Sequence, residues 1–393
     1  MSRRPPHATF ARAAGLLLVV ALVAAACQLP PGTTVAHPLL GLIDTGGTHY
    51  QAEVAAGVKV VTLSVAWRQA EPTAGHFDTA YGASIRRQIA AARNRHLAVI
   101  ADPGLQFPPG WVFALPGGTR FKDQYGDVFT GAVPSGNDVA NGVTDPAVRS
   151  AMGSYLSWLG GQIPRGQLWG VRQGGGPLGE LRYPSGSYAG HTNCWWAYDA
   201  STLARSPVPG WRPGTGTTDQ AKKFLMAYNG NLTLFAQWMN GQFKADFATR
   251  SLIMLPGWGQ RPGTSGAVVA SRLTHSADEF NQGLDWQTQL TALPDKAHAV
   301  AYTTYLDAAL VRLTPQLEPP VAYLATLAKA SRVHLGGENT GTPSVAALSV
   351  SLKRARYYGL SVVNWMDEAR LLNPRSGQPT LAILNSEARA LLG

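Results

Sequence analysis

The sequence has few cysteines and few charged residues for its length. Only Cys27 and Cys194 occur among 393 residues, so one intramolecular disulfide is the most that the chain can form. Charged residues make up 14% of the chain, while apolar residues make up 45% and aromatic residues 9%, which excludes a disordered or fibrous protein. We expect Cys194 to be a buried structural thiol, because the neighbouring His191 alone does not indicate a catalytic pair.

Motifs of several function classes are missing as well. The nine histidines are dispersed, without a His-x-x-x-His or Cys-x-x-Cys pair, so we expect no metal site. The sequence has no Gly-x-Ser-x-Gly elbow, and the glycine run at 174–176 lacks the lysine of a phosphate-binding loop. The net charge is +10, but the basic residues are scattered, which argues against a nucleic-acid partner. We therefore expect neither a cofactor nor a nucleic acid.

The amino terminus has the pattern of an export signal. Three arginines precede an apolar run at 13–26 that ends at Cys27, as in a secretory signal peptide. The end of this run resembles a bacterial lipobox, with Ala24 at the position of the usual leucine. We expect residues 1–26 to be cleaved, Cys27 to be acylated, and residues 27–38 to form a tether; secretion without a lipid is the alternative. No later apolar run approaches the roughly 20 residues that span a bilayer, so the lipid at Cys27 is the only expected membrane contact.

Short β-rich runs alternate with helical patterns along the rest of the chain, which predicts βα units and a parallel sheet. Eight strands are predicted, at 41–44, 58–66, 97–102, 168–173, 251–255, 299–304, 333–336 and 360–364. Helices are predicted between them, at 81–95, 146–162, 222–247, 320–330 and 344–358. Eight such units favour an α/β fold of the (β/α)8 TIM-barrel type, formed by residues 39–393 as one catalytic domain. A doubly wound sheet is the alternative.

Two long connections agree with a barrel. Residues 103–141 follow the third predicted strand and residues 174–218 follow the fourth, and both segments are rich in Gly, Pro, Trp and Tyr. TIM barrels build their sites from the loops at the carboxyl ends of the strands. We therefore expect the functional site on this face.

Acidic residues stand at the predicted strand ends, although charged residues are scarce. They include Asp44, Asp102, Glu180 and Glu338. Acids around one barrel mouth suit glycoside hydrolysis, in which one carboxyl protonates the leaving oxygen and another activates water or attacks the anomeric carbon. We expect Asp44 and Asp102 to bind substrate; a helix cap or an ion pair with arginine is the alternative for both.

Tryptophans lie in or next to the same loops, and sugar rings present apolar faces that pack on aromatic side chains. They are Trp67, Trp111, Trp195, Trp196, Trp258 and Trp365. We expect Trp67, Trp258 and Trp365 to contact sugar, and a place in the core is the alternative for each of them.

Two segments resemble motifs of the β-amylases. Residues 176–185, Gly-Pro-Leu-Gly-Glu-Leu-Arg-Tyr-Pro-Ser, resemble the strand-four motif of that family, and Gly-Gly-Glu-Asn-Thr at 336–340 is similar to its strand-seven motif. The resemblance implies that Glu180 is the general acid and Glu338 the general base. A looser similarity, at 67–78, is shared with β-amylases and barrel β-galactosidases.

The same resemblance implies further contacts to the sugar. Asn339 and Thr340 would line the sugar site, and Thr303 is similar to a family threonine after strand six. Arg182 and Tyr183 belong to the first motif and are expected at the substrate, with Arg182 directed at the substrate and away from Glu180. Glu338 is expected to stay ionised and to be oriented by Asn339.

Three departures from the β-amylase pattern concern starch binding. Ser64 stands where the family has an aspartate, residues 102–105 replace a flexible loop, and residues 255–259 lack the family's lysine and histidine. In the family these residues hold the terminal glucose units. We therefore expect an exported glycoside hydrolase that acts on an oligo- or polysaccharide other than starch.

The sequence is compatible with two stereochemical outcomes. The β-amylase resemblance favours inversion, which needs carboxyl groups roughly 6.5–9.5 Å apart, whereas retention needs about 5–5.5 Å. Barrel β-galactosidases retain and usually carry Asn-Glu on strand four, where this chain has Gly179-Glu180. A β-galactosidase-like retaining enzyme and a glycan-binding envelope lipoprotein without activity are the alternatives.

Overall fold

A computed structural model describes residues 37–131, 138–312 and 317–392. The expected signal peptide, the acylated Cys27 and the tether up to residue 36 lie outside the described residues. Within the described part, no helix is both long and apolar enough to cross a membrane.

Eight parallel strands close into a barrel. In chain order they are β1 (Leu39–Leu42), β2 (Val60–Ser64), β3 (Ala98–Asp102), β4 (Gly170–Gln173), β5 (Arg250–Leu255), β6 (Ala299–Thr303), β7 (His334–Glu338) and β8 (Val362–Trp365). Each strand pairs with the next, and β8 pairs with β1, so the described barrel has no open edge. The prediction of a (β/α)8 TIM barrel is confirmed.

Helices surround the barrel and carry part of its upper loops. They are α1 (Tyr50–Ala55), α2 (Trp67–Ala70), α3 (Thr79–Arg93), α4 (Pro146–Gln162), α5 (Ala200–Leu203), α6 (Thr218–Phe247), α7 (Ser265–Ala270), α8 (Asp278–Asn281), α9 (Trp286–Thr291), α10 (Pro320–Ser331), α11 (Val345–Tyr358), α12 (Glu368–Leu372) and α13 (Leu381–Leu392). Two 3-10 turns, Gly110–Ala114 and Pro177–Gly179, lie in the loops after β3 and β4. Two-residue strands pair at Ser187–Tyr188 with His191–Thr192, and at Val311–Arg312 with Leu317–Glu318.

The longest helix, α6, begins at a capping box. The Thr217 hydroxyl accepts a hydrogen bond from Gln220 N, and the Gln220 side chain accepts one from Thr217 N. These two bonds satisfy amide groups that the first helical turn leaves without partners. Its buried face, which includes Phe235 and Phe243, packs on α4 and on strands β4 and β5. The helix thereby supports the part of the barrel from which the longest upper loop departs.

The interior of the barrel is a small apolar core of its own. It is formed by Val60, Ile100, Leu252, Met254, Val300, Tyr302 and Val362. Glycines complete it where a side chain would collide: a Cβ on Gly170 would lie 2.5 Å from Leu252, and one on Gly336 would lie 3.0 Å from Tyr302. Because side chains alternate along a strand, this layer determines which residues face the barrel mouth above it.

The loops after β3 and β4 pack many of their aromatic side chains inward. Trp195 and Trp196 are fully buried, and Trp195 meets Tyr228 of α6 edge to face at 5.1 Å between ring centroids. Cys194 is buried beside them, and burial raises the pKa of its thiol to about 12. The expectation of a buried structural thiol at Cys194 is confirmed.

Candidate active site

A cavity of about 580 Å³ opens at the carboxyl ends of the barrel strands. This volume lies within the range of small-molecule sites. The structure brings six of the residues expected from the sequence to its wall: Asp44, Asp102, Glu180, Glu338, Asn339 and Thr340. The wall also contains side chains that the sequence did not single out, among them Tyr81, Gln106, Phe107, Arg172, Leu178, Thr304 and Tyr305.

Strand alternation explains which strand-end residues reach this wall. Tyr302 packs inside the barrel, so Thr304, two residues later, faces the cavity. On β7, Gly336 likewise faces the barrel interior, so Glu338, two residues later, faces the cavity. The structure does not bring Thr303 to the cavity: this residue is fully buried, and its hydroxyl accepts a hydrogen bond from Tyr305 N at 3.1 Å. Thr304 takes the place that the sequence analysis gave to Thr303.

Glu180 is carried by a tight loop after β4. Gly176 N donates to the Glu180 carbonyl at 2.9 Å, and Leu181 N donates to the carbonyl of Met254 on β5 at 2.8 Å. A Cβ on Gly174 would lie 1.8 Å from the Gly179 carbonyl oxygen, so the loop folds back on a backbone that has no side chain there. The Glu180 side chain therefore reaches the cavity from a fixed backbone.

Substituting Gly174 by alanine tests this loop. The added methyl group has to displace the Gly179 carbonyl, so we expect Gly174→Ala to lower the free energy of unfolding by about 1–3 kcal/mol. We also expect it to reduce any activity that depends on Glu180. The matched control is Gly230→Ala in α6, where a Cβ meets nothing within 4 Å and alanine should stabilise the helix by roughly 1 kcal/mol. Urea denaturation of both variants measures the difference, and equal stability of the two would contradict the close approach at Gly174.

The Glu180 carboxylate has two polar partners. The Thr304 hydroxyl donates to Glu180 Oε1 at 2.6 Å, and Arg182 Nε lies 2.7 Å from Glu180 Oε2. Arg182 also donates to Gln282 Oε1 at 3.2 Å. The structure thus contradicts the expectation that Arg182 is directed away from Glu180. The reason is burial, because an arginine whose side chain is 12% exposed needs a nearby counter-charge.

Glu338, at the end of β7, is held by a cation and a phenol. Arg172 donates to both carboxylate oxygens, at 2.9 and 3.1 Å, and the Tyr302 hydroxyl donates to Oε2 at 2.9 Å. Burial raises the pKa of Glu338, while Arg172 and Tyr302 act in the opposite direction. Asn339 does not orient this carboxylate as expected. It bonds instead to both the N–H and the carbonyl of Met366, because its amide faces the β8 loop.

Arg172 is the cation at the centre of the cavity floor. Its Nε lies 3.5 Å from Asp102 Oδ2, while its two terminal nitrogens hold Glu338. Burial lowers the pKa of Arg172, but the charges of Glu338 and Asp102 outweigh burial and raise it, so the guanidinium stays protonated. The same charges act on Asp44. Burial raises the pKa of its carboxyl, the charge of Arg172 lowers it, and the charge of Asp102 raises it.

Three aromatic residues expected at the sugar belong to the core instead. Trp67 is fully buried, stacks on Tyr155 at 5.2 Å between ring centroids, and donates its indole N–H to Glu71. Trp365 is 2% exposed and Tyr183 is 1% exposed, both in the apolar layer outside the barrel. Packing around the barrel accounts for all three. For Trp67 and Trp365 this is the alternative stated in the sequence analysis.

Trp258 is half-buried behind the wall of the cavity. Its ring meets Tyr305 at 5.5 Å between centroids, and Tyr305 lines the cavity while Trp258 does not. Tyr81, Phe107 and Tyr305 are thus the aromatic side chains that a sugar ring would meet. Trp258 supports this surface through Tyr305.

Below the rim lies a buried pair of carboxyl groups. Glu53 of α1 is fully buried beside Glu368 of α12, and burial together with this neighbour raises the pKa of Glu53 to about 8. Glu368 Oε2 accepts a hydrogen bond from Gly46 N at 2.6 Å, two residues beyond Asp44. A protonated Glu53 therefore helps to keep the loop that carries Asp44 attached to α12.

The pH dependence of stability tests this pair. Unfolded Glu53 loses its proton near pH 4.5, whereas the folded protein keeps it up to about pH 8, so stability falls as the pH rises between these values. Glu53→Gln keeps a neutral group at this place at every pH. We expect the melting temperature of the wild type to fall more than that of Glu53→Gln between pH 5 and about pH 8. The control is Glu387→Gln at a half-buried position on α13, which should follow the wild type. Equal falls of the melting temperature in the wild type and Glu53→Gln would contradict a protonated Glu53.

In the described part of the chain, no group of three or more His, Cys, Asp or Glu side chains is arranged to hold a metal ion. The polar side chains of the cavity are carboxylates, hydroxyls, the three amides of Gln69, Gln106 and Asn339, and Arg172. Such a set binds hydroxyl groups and moves protons.

No protein-family model matches the sequence, and no curated protein matches it significantly. The structure is similar to the catalytic domain of a β-amylase from Paenibacillus polymyxa, with a TM-score of 0.60 and 16% identity over 90% of this chain and 98% of that chain. It is also similar to β-galactosidases from the psychrophilic Marinomonas ef1 (TM-score 0.61) and the Antarctic haloarchaeon Halorubrum lacusprofundi (TM-score 0.59). Both are 12% identical over 90% of this chain, which spans 58% and 57% of their length. At such identities the comparison shows the fold alone, a TIM barrel shared with glycoside hydrolases.

Proposed function

We propose that the protein is a glycoside hydrolase in which Glu180 is the general acid and Glu338 the general base. One observation carries the proposal: two glutamates that come from different parts of the chain, the β4 loop and the end of β7, line the same cavity. Glycoside hydrolysis needs two carboxyl groups on opposite sides of one sugar bond. The motif resemblance around both glutamates gives independent support.

The contacts of Glu338 suit a base. A carboxylate oxygen has two acceptor positions, and Oε2 uses both, for Arg172 and Tyr302. Oε1 accepts only from Arg172, so one position remains for a proton from water. Burial, which raises the pKa of Glu338, makes this oxygen a better proton acceptor.

Glu180 must carry a proton to act as the acid. In the structure its Oε2 is paired with Arg182, which is also bound to Gln282. We propose that Arg182 moves fully to Gln282 when substrate enters, so that a protonated Oε2 can face the leaving oxygen. Thr304 keeps the other oxygen in place during this change.

We propose inversion, on the strength of the β-amylase resemblance. In that case a water molecule stands between Glu338 and the anomeric carbon, whereas in a retaining reaction Glu338 would attack the carbon itself. The configuration of the first product distinguishes the two. Proton NMR during early hydrolysis should show the anomer opposite to that of the cleaved bond.

We further propose that the substrate is a glycan other than starch and that the enzyme acts outside the cell, attached through Cys27. Ser64 stands where β-amylases have an aspartate, but its hydroxyl donates to Asp44 at 3.3 Å. The carboxylate of Asp44, which follows β1, therefore lies beside the end of β2. It approaches from a different direction than an aspartate at position 64 would. Asp44 and Asp102 would then accept hydrogen bonds from sugar hydroxyls.

A glycan-binding protein without activity is the second candidate. The observation that favours it is that both glutamates form ion pairs with arginines, which suits carboxylates that never change protonation. Purified protein incubated with envelope and storage polysaccharides separates the two. New reducing ends support the hydrolase, whereas tight binding by calorimetry without any product supports the binding protein and contradicts the hydrolase.

A further inference from the structure

The cavity with the two glutamates shares wall residues with a further cavity on either side. One of about 330 Å³ shares Gln106 and Phe107 with it, in the loop after β3. Another of about 760 Å³ shares Thr340 with it, just after β7. Strands β3 and β7 are four places apart in the eight-stranded barrel, so the two side cavities lie on opposite sides of its mouth. We call these three neighbouring cavities the mouth cleft; Glu180 and Glu338 line the central one.

Arginines stand at both ends of the mouth cleft. Arg68 and Arg120 line the end near β3, and Arg370 and Arg375 line the end near β7. Among the residues that line these two ends, Asp138 is the single acid. The ends of the cleft are therefore positive, whereas its middle contains the acids that perform the proposed chemistry.

Two of these arginines have no counter-charge in the described part of the chain. Arg120 pairs with Asp138, and Arg370 lies 3.3 Å from Asp367. The guanidinium of Arg68 instead lies 5.3 Å from the ring centroid of Phe107, and neither Arg68 nor Arg375 has an acidic partner among residues 37–131, 138–312 and 317–392. Both are exposed. Each end of the cleft thus has one exposed guanidinium that no acid of the described residues neutralises.

We propose that the substrate is an extended polyanionic glycan that crosses the mouth cleft and is cut within the chain. Because a guanidinium binds carboxylate and sulfate groups with two parallel hydrogen bonds, Arg68 and Arg375 would hold charged sugar units on the two sides of the cleaved bond. Because a cavity lies on each side of the one that contains the glutamates, the mouth cleft offers room for chain on both sides of the cleaved bond. The position of the cut rests on the proposed function, whereas the binding does not.

Binding to defined polymers tests the arginines. Polygalacturonate and chondroitin sulfate serve as carboxylate and sulfate probes, and dextran serves as the neutral one, with affinities measured by calorimetry at low and high salt. We expect salt-sensitive binding of at least one anionic polymer over dextran, and a loss of roughly tenfold in the double variant Arg68→Gln/Arg375→Gln. The control is Arg87→Gln/Arg95→Gln, which removes the same charge from exposed positions on and just after α3.

Three results would overturn the binding part: dextran bound as well as the anionic polymers, no binding of either anionic polymer, or an equal loss in the control variant. The preference between the two anionic probes identifies the charged group. Because the control carries the same net charge, the comparison separates a specific cleft from general attraction to a basic protein.

The position of the cut is read from product size. Internal cleavage lowers the mean chain length early, before many reducing ends appear, whereas release of mono- or disaccharides from the first minutes would contradict it. Hydrolysis of neutral glycans without binding that depends on Arg68 and Arg375 would overturn this inference and leave the proposed function intact. Binding that depends on these arginines, without hydrolysis of any glycan, would support the binding inference and overturn the proposed function.

Discussion

Glu180→Gln and Glu338→Gln are each expected to lower kcat/KM for glycan hydrolysis by roughly 10²–10⁴, the usual contribution of general acid–base catalysis. Glutamine has the same shape but neither gives nor takes the required proton. In Glu180→Gln, the Thr304 hydroxyl can still donate to the side-chain oxygen, so the geometry survives. In Glu338→Gln, the amide group faces Arg172, and we expect this variant to be less stable than Glu180→Gln.

Both variants should remain folded, which circular dichroism and thermal melting measure alongside turnover. Glu387→Gln, on α13 and away from the cavity, is the matched control and should keep full activity. Near-normal turnover of the glycan by either Glu180→Gln or Glu338→Gln would remove that residue from the chemistry. A loss of activity that follows unfolding in the melting curves would likewise not support the assignment.

Arg172→Met is expected to destabilise the fold and to abolish activity. The change leaves the buried Glu338 and the half-buried Asp102 without their cation, and breaking one side of a buried ion pair such as Arg172–Glu338 costs about 3–5 kcal/mol. Because Arg172 lowers the pKa of Glu338, its removal raises that pKa further. Any remaining activity should therefore need a higher pH, since the base works only when ionised. Urea denaturation and the pH dependence of kcat/KM measure the two effects.

Two controls belong to this prediction. Arg172→Lys keeps the charge but cannot bond to both oxygens of Glu338, so we expect part of the stability and little of the activity to return. Arg95→Met, at an exposed position, should change stability by less than about 0.5 kcal/mol. If Arg172→Met were as stable as Arg95→Met, the carboxylates would not depend on Arg172.

The barrel could be predicted from the sequence because its strands are short apolar runs at regular spacing. Strand bounds were less accurate. The first strand was predicted at 41–44 but lies at Leu39–Leu42, since its register is determined by pairing with β8, where Leu39 stands opposite Val362. Such pairing joins distant parts of the chain, and no local pattern contains it.

The sequence indicated Glu180 and Glu338 through their motifs but missed the groups that hold them. Arg172 and Tyr302 lie inside predicted strands, and a charged side chain in a barrel strand must have a buried partner. That signal was available and would have drawn attention to Arg172. Its pairing with Glu338, 166 residues away, depends on the closure of the barrel.

The sequence placed tryptophans at the sugar that the structure buries in the core. A loop of ordinary length exposes its aromatic residues, but the segments after β3 and β4 are long enough to form a core of their own. Trp195 is buried there against α6, and Trp196 against the loop residues Phe129 and Tyr188. Trp67 is buried against α4 through Tyr155. Whether a loop tryptophan faces a ligand or the core depends on these contacts, which composition does not reveal.

The most direct test of the two catalytic roles is the dependence of turnover on the leaving group. An aryl glycoside of the preferred sugar with a nitrophenolate leaving group needs no proton from the acid, whereas a glycan does. We predict that Glu180→Gln cleaves the aryl glycoside at a rate close to that of the wild type and barely cleaves the glycan, and that Glu338→Gln cleaves neither. Equal losses of Glu180→Gln on both substrates, or aryl glycoside cleavage by Glu338→Gln, would contradict the assignment of acid and base.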